Sequence, residues 1–385
     1  MNTCIRRLFL TGLLASCSAG AAHAQATFDF TGSTQFSGAV ETIPIRANSP
    51  GGNSIGTISA IVFDPTSQVG GEYNRIYFVN REQTTGTAVG GLYATDTVTE
   101  TVTFIGLQSN TADTNANPSF IAIDASGSVY AGSDLTSQVW RVDSPLSSPT
   151  FTQMLGNYGA AGTDDDPTSL SWSPTTNQVV VFDQGLDTNN PVAVTLVDAA
   201  STAAMPLFST IWTNNSGADL NLKGQFSAFD DNAYIAYATF PLVSGTAAIY
   251  RVDLAGNLQT ILLDGITSAL TLDDSVAVNP VDGSVWLPIN TGGTNRTYYR
   301  VDVAGAALQS PGVYLADTTA EFTATGFNGG VNSTAFSPDG RWLAVAVPDG
   351  ADTIYLLRTA VPEPASLALA GAAMLGCVAV GRRRR

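Results

Sequence analysis

The chain has 385 residues, of which 16 are basic and 32 acidic, giving a formal net charge of −16 at pH 7. With the six terminal arginines (positions 6, 7 and 382–385) set aside, ten cations remain in the body, Lys223 its only lysine, and such an acidic body excludes nucleic acid and anionic lipid as partners. Cys4, Cys17 and Cys377 and the single histidine, His23, all lie near the ends, so the body has no Cys/His zinc site, no Ser-His-Asp or Cys-His nucleophile, no thiol redox chemistry and no disulfide.

The N-terminus has the order of a secretory signal. Arg6 and Arg7 precede a short apolar stretch over 8–16, and Ala22-His23-Ala24 forms an A-x-A site, predicting cleavage after Ala24. Two alternatives remain. Leu14-Ala15-Ser16-Cys17 is similar to a lipobox, which would put a lipid on Cys17, and Arg6-Arg7-Leu8 is similar to a twin-arginine signal.

No long stretch of the body shows a 3.6-residue apolar period. Short alternating strands are punctuated by Asp-Pro, Pro-Asp-Gly and Asn turns. Strand pairs recur along the chain. Ile61-Val-Phe-Asp-Pro65 leads to Arg75-Ile-Tyr-Phe-Val79, and Phe120-Ile-Ala-Ile-Asp124 to Ser128-Val-Tyr-Ala131. Leu170-Ser-Trp-Ser-Pro174 leads to Gln178-Val-Val-Val-Phe182, and Phe226-Ser-Ala-Phe-Asp230 to Ala233-Tyr-Ile-Ala-Tyr237. Val276-Ala-Val-Asn-Pro280 leads to Ser284-Val-Trp-Leu287, and Thr334-Ala-Phe-Ser-Pro338 to Arg341-Trp-Leu-Ala-Val345. A third strand ends in Arg141-Val-Asp143, Leu196-Val-Asp198, Arg251-Val-Asp253 or Arg300-Val-Asp302, the aspartates lying 55, 55 and 49 residues apart. A fourth strand often follows, as at Val102-Thr-Phe-Ile105.

A period near 50 with four antiparallel strands per unit predicts an all-β fold, a β-propeller over 25–360 with six blades, or seven if 29–57 forms more than one strand. One four-stranded sheet cannot bury both faces alone, whereas a ring of them can. The last unit lacks a fourth strand, and residues 28–45 are expected to supply it. The body resembles WD40-like and TolB-like propellers, with Phe336-Ser-Pro-Asp-Gly-Arg-Trp342 the nearest local match. That stretch needs only a strand ending in a tight turn.

Candidate chemistry is sparse. Asp164, Asp165 and Asp166, before Pro167, have the oxygen-rich character of a Ca²⁺ site, and the competing reading is a solvated turn that caps a strand. Asp230-Asp231 and Asp273-Asp274 are similar pairs. The Arg-Val-Asp aspartates are expected to form Asx-type turns, with the arginines pairing locally. Trp140, Trp172, Trp286 and Trp342 lie on repeat strands and are expected between blades, while Trp212 is harder to place.

The C-terminus carries Pro362-Glu363-Pro364, a 14-residue apolar run over 367–380, and Arg382 to Arg385. At ~1.5 Å per residue the run spans roughly 21 Å as a helix, short of the ~30 Å hydrocarbon core, and suits a temporary transmembrane helix. Arginines at both ends favour the cytoplasmic side and leave the body outside. This tail resembles the PEP-CTERM signal of bacterial exported proteins. The resemblance implies an exosortase, a membrane peptidase, as partner, with Pro362, Glu363 and Pro364 as recognition residues. The whole reads as a signal peptide over 1–24, a propeller over 25–360 and a sorting signal over 361–385. The expected protein passes the export translocon and is non-enzymatic, with no cofactor. Its role would be in binding or matrix interaction with extracellular polysaccharide or protein. Two alternatives stand: a Ca²⁺-dependent propeller hydrolase acting on a phosphate ester or lactone, with channel carboxylates holding the metal, and a surface scaffold anchored through Cys17.

Overall fold

The computed structural model describes residues 26–45, 57–80, 90–107, 118–133, 138–155, 167–183, 192–214, 222–237, 242–243, 246–266, 271–272, 275–303, 312–327, 333–347 and 353–360. The expected signal peptide with its Ala24 site, the expected transmembrane run over 367–380, the tail with Pro362, Glu363 and Pro364, Asp164 to Asp166 and Asp273-Asp274 lie outside these residues.

Every named element among the described residues is a β-strand. The chain begins with β1 (Thr27–Asp29) and β2 (Phe36–Pro44). The first repeat holds β3 (Ile58–Phe63), a hairpin of β4 (Gln68–Val69) and β5 (Glu72–Tyr73), then β6 (Arg75–Asn80), β7 (Gly91–Asp96) and β8 (Val102–Gly106). The second holds β9 (Phe120–Ile123), β10 (Val129–Ser133), β11 (Gln138–Asp143) and β12 (Thr150–Leu155). The third holds β13 (Pro167–Ser173), β14 (Gln178–Asp183), β15 (Val192–Asp198) and β16 (Phe208–Asn214). The fourth holds β17 (Leu222–Ser227), β18 (Asn232–Tyr237), β19 (Leu242–Val243), β20 (Thr246–Asp253) and β21 (Leu258–Leu263). The fifth holds β22 (Thr271–Leu272), β23 (Ala277–Val278), β24 (Val285–Gly292), β25 (Asn295–Asp302) and β26 (Val313–Thr325). The last holds β27 (Ser333–Phe336), β28 (Trp342–Val347) and β29 (Thr353–Thr359).

Three repeats form separate antiparallel sheets in sequence order: β3-β6-β7-β8, β9-β10-β11-β12 and β13-β14-β15-β16. The last is β27-β28-β29-β2, so the N-terminal β2 supplies the missing fourth strand. The residues expected for that closure divide into two strands, however, because β1 pairs instead with β26 of the preceding repeat, Thr27 opposite Thr325. Repeats four and five depart from separate sheets altogether. They fuse into one eleven-stranded sheet through a parallel pair, Thr260 to Leu263 beside Val313 to Ala316. The 13-residue β26 is long enough to run beyond its antiparallel partner β25 and cover the edge of β21, removing an open row of peptide groups.

The alternation of each strand sends side chains to opposite faces of its sheet, and the buried apolar residues gather between sheets. Tyr234 and Ile249 of repeat four meet Val285 and Leu287 of repeat five. Trp286 and Tyr298 of repeat five meet Leu343 and Tyr355 of the last. Ala344 and Leu356 of the last meet Ile61 and Phe78 of the first. The first and second share Tyr77 and Ile121, the second and third Tyr130 and Val181, the third and fourth Phe182 and Ile235. The cores therefore run in a closed cycle. The first strands repeat it at the centre, β3 touching β9, β9 touching β13, β13 touching β17, β17 touching β23, β23 touching β27, and β27 touching β3.

The N-terminal segment is fastened by a buried carboxylate. Glu321, fully buried on β26, accepts from Ser33 Oγ at 2.9 Å, Thr34 N at 3.0 Å, Thr34 Oγ1 at 3.2 Å and Gln35 N at 3.3 Å, with Arg300 Nε 3.8 Å away. Around it, the rings of Phe28, Phe30 and Phe36 pack on Phe322, with centroids 6.1, 5.5 and 5.1 Å apart. At the seam between last and first repeats, Glu72 accepts from Trp342 Nε1 at 2.8 Å and Arg358 Nη2 at 3.3 Å.

Candidate binding site at the central cavity

The first strands enclose a cavity of about 370 Å³ whose wall draws on all six of them, with Ser59, Phe120, Ser169, Lys223, Val276 and Ser333 among its lining. An innermost strand has one edge with no sheet partner, so its backbone groups need other partners. Side chains of neighbouring first strands supply several. Ile61 N donates to Ser333 Oγ at 3.1 Å, Gly224 N to Ser169 Oγ at 2.9 Å, and Val278 N to Gln225 Oε1 at 2.8 Å. Ser171 Oγ donates the other way, to the Phe226 carbonyl at 3.5 Å. These bonds tie one repeat to the next around the cavity.

Lys223, the body's only lysine, is 8% exposed in this wall, its ammonium 5.1 Å from the centroid of the Phe120 ring. The two residues come from repeats four and two, which are not neighbours in the cycle, so the lysine reaches over the intervening repeat. The favourable contact of an ammonium with a ring face reinforces that placement. Among the described residues of the wall there is one carboxylate, Asp124. It accepts from Ser126 N at 2.8 Å, Ser126 Oγ at 2.6 Å, Ser128 N at 3.0 Å and Tyr130 OH at 3.0 Å, which makes it a turn residue. Among the described residues no group of three or more His, Cys, Asp or Glu is placed to hold a metal ion.

A Tyr-Asp pair at the end of the first strand resembles acid-base machinery, and its recurrence assigns it to the fold. Tyr130 OH donates to Asp124, Tyr234 OH donates to Asp230 at 2.7 Å, and Tyr77 lies beside Asp64 and Arg75. Burial raises the Tyr77 phenol to about 12, with the Asp64 charge adding to it, and raises Tyr130 and Tyr234 further for the same reasons. Such phenols stay protonated and act as hydrogen-bond donors. In repeat four the buried Arg251 stands 3.9 Å from Asp230.

The Arg-Val-Asp aspartates end third strands, as expected. Asp253 accepts from Ala255 N at 2.9 Å and Asn257 N at 2.8 Å, and Asp198 from Ala200 N at 2.7 Å, the Asx turns predicted, whereas Asp143 accepts from Ser128 Oγ at 2.9 Å, just before the neighbouring strand. Burial pushes the Asp253 carboxyl up, and the bonds from Asn257 and Ala255 outweigh it and hold it below the ordinary range. Arg141 pairs locally with Asp143 at 3.0 Å, whereas Arg251 reaches back to Asp230 and Gln259. Asp231 accepts from Thr175 of the preceding repeat, a link between turns. Trp140, Trp172, Trp286 and Trp342 all pack in the cores between sheets, and Trp212 joins them between repeats three and four.

Residues 360–385 match the PEP-CTERM protein-sorting motif. That tail marks an exported protein, sorted towards the cell surface with processing by an exosortase. The motif starts one residue beyond the end of β29 at Thr359. No curated protein matches the chain. Among solved structures, a protein of unknown function from Bacteroides thetaiotaomicron aligns over 87% of this chain and 76% of its own, at 11% identity and a TM-score of 0.56. A streptogramin B lyase aligns over 84% and 98% at 11% identity and a TM-score of 0.48. A virginiamycin B lyase from Staphylococcus aureus aligns over 83% and 99% at 9% identity and a TM-score of 0.47. The likeness to the Bacteroides protein is one of fold, and the closed cycle of sheets makes the body β-propeller-like.

Proposed function

We propose that this protein is a non-enzymatic binding protein of the cell surface or extracellular matrix, built as a six-bladed propeller. It loses a signal peptide after Ala24 and its tail to an exosortase that recognises Pro362, Glu363 and Pro364. The observation that carries the reading is the tail itself, standing directly after the strand that the N-terminal β2 covers. Six blades are supported by the closed cycle of first strands and by β2 completing the last sheet. A binding role is supported by a small-molecule-sized cavity in which the one carboxylate among the described residues, Asp124, is engaged in a turn. The body also lacks histidine and cysteine for nucleophilic or acid-base chemistry.

The test replaces Pro362, Glu363 and Pro364 by alanine and follows the protein in culture fractions. The expected result is accumulation in the membrane fraction with the tail still attached. Release into the medium at the parent rate overturns the exosortase reading. The binding role is tested separately, by whether the purified mature body sediments with polysaccharide-rich matrix from the same cells. A body left wholly in the supernatant overturns it.

A further inference from the structure

Two large apolar side chains stand half exposed near the point where the chain enters its sorting tail. Phe229 and Val281 are each 48% exposed, in the turns that follow the first strands of repeats four and five. In the last repeat β27 and β29 are both antiparallel to β28, so the turn after β27 and the end of β29 lie at the same end of that sheet. Thr359, the last residue of β29, is fixed to this turn. Its N donates to the Arg341 carbonyl and its Oγ1 to the Gly340 carbonyl, each at 2.8 Å.

The exposed pair leads to this root. A Cβ on Gly340 would lie 2.8 Å from Val281 Cγ2, and one on Gly283 would lie 2.5 Å from the Phe229 ring. Each turn therefore seats the exposed side chain of the repeat before it, and the strip runs from Phe229 through Val281 and Gly340 to Thr359. Pro280 and Pro338, in the same turns, join it to the wall of the central cavity. Their fixed φ holds the strip in shape, which lowers the ordering cost of binding. Three partly exposed carboxylates, Asp231, Asp282 and Asp339, flank it, with Arg341 Nε 3.5 Å from Asp339. Apolar surface rimmed by polar groups is the character of an interaction site.

Position selects the occupant. Pro362 follows Thr359 by three residues, at most roughly 11 Å of extended chain, and Leu367 by eight, at most roughly 29 Å. A peptidase that reads Pro362, Glu363 and Pro364 beside the membrane must therefore work against this face of the body. Resting on the exosortase processing proposed above, we infer that the strip of Phe229 and Val281 is a docking surface for that membrane peptidase, which meets it with an apolar patch edged by cations. A second copy of this chain would instead bring one acidic rim against another.

The test follows tail removal by pulse-chase in the producing cells, for the parent and for the double variant Phe229→Ser, Val281→Ser. Met205→Ser serves as control, because Met205 is 60% exposed in repeat three and its neighbouring segment bonds to repeat two, away from the strip. The double variant should lose its tail roughly tenfold more slowly, from the apolar area that docking no longer covers, and Met205→Ser should keep the parent rate. A spacer of about twenty Gly and Ser residues after Ala360 frees the motif from the face, and should shrink the difference between parent and double variant to about twofold or less. A double variant processed at the parent rate overturns the docking surface. So does one slowed equally with and without the spacer, which marks a folding defect, or a mature body whose dimerisation is lost in the double variant while processing is unchanged. If processing still fails in the Pro-Glu-Pro alanine variant, any of those results removes the docking surface and leaves the exosortase reading standing.

Discussion

Removing the carboxylate of Glu321 should release the N-terminal segment that closes the fold. Glu321 is fully buried and takes hydrogen bonds from two backbone N–H groups and two hydroxyls of residues 33–35, with Arg300 at 3.8 Å. Glu321→Ala strands the Arg300 guanidinium and the Thr34 donors, while Gln35 N keeps Ser33 Oγ at 3.2 Å. Breaking a buried pair by removing one partner costs about 3–5 kcal/mol. The segment could escape part of that cost by lifting off, but the Phe28, Phe30 and Phe36 rings would then lose their packing on Phe322. The two routes to relief are both expensive, so a loss near 3–5 kcal/mol is expected either way. Glu321→Gln keeps the shape and one acceptor oxygen and should lose about 1–3 kcal/mol. The assay is urea unfolding followed by tryptophan fluorescence, to which Trp286 reports directly, its ring 5.5 Å from that of Phe36. A Glu321→Ala protein within about 1 kcal/mol of the parent, against the cost expected for a buried pair, would refute the reasoning.

Alkaline pH should destabilise the body. Tyr77, Tyr93, Tyr130 and Tyr234 are all raised in the folded state, chiefly by burial, Tyr77 to about 12. An unfolded tyrosine ionises near pH 10, so their contribution is complete below about pH 10 and is lost as pH rises towards the folded values, by up to about 1.4 kcal/mol per pH unit for each ring. Urea midpoints measured from pH 8 to 12 should fall above pH 10, and Tyr93→Phe should make the fall shallower. Gly224→Ala should cost about 1–3 kcal/mol by overpacking, because a Cβ there would lie 2.2 Å from the Phe182 ring. Its urea midpoint should drop accordingly, and an unchanged midpoint would contradict the close approach of the third and fourth repeats.

Much of the strand plan was legible because its signals are local. Asp-Pro and Pro-Asp-Gly turns end first strands, the Arg-Val-Asp tripeptides end third strands, and tryptophans on repeat strands lie between sheets. The closing strand was inferred from the last repeat being one strand short, and β2 fills that place. What was hidden is long-range. The pairing of β1 with β26 and the parallel pairing of β21 with β26 depend on how far one long strand overruns its neighbour, which no local pattern encodes. Glu321 reads as an ordinary alternating residue until residues 33–35 fold over it. Lys223 was marked only by being alone of its kind, and nothing in Leu222-Lys223-Gly224 shows that it lines a cavity beside Phe120. The acidic run at Asp164 to Asp166 was the more conspicuous signal, and it falls outside the described residues.

The proposed route carries the body across the membrane and frees it from both terminal signals. Intact-mass spectrometry of the protein recovered from the culture medium tests it most directly. The expected product begins at Gln25 and ends at or near Pro362 to Pro364, without the arginine tail. A full-length chain found in the cytosol with Met1 and Arg385 both present would contradict it.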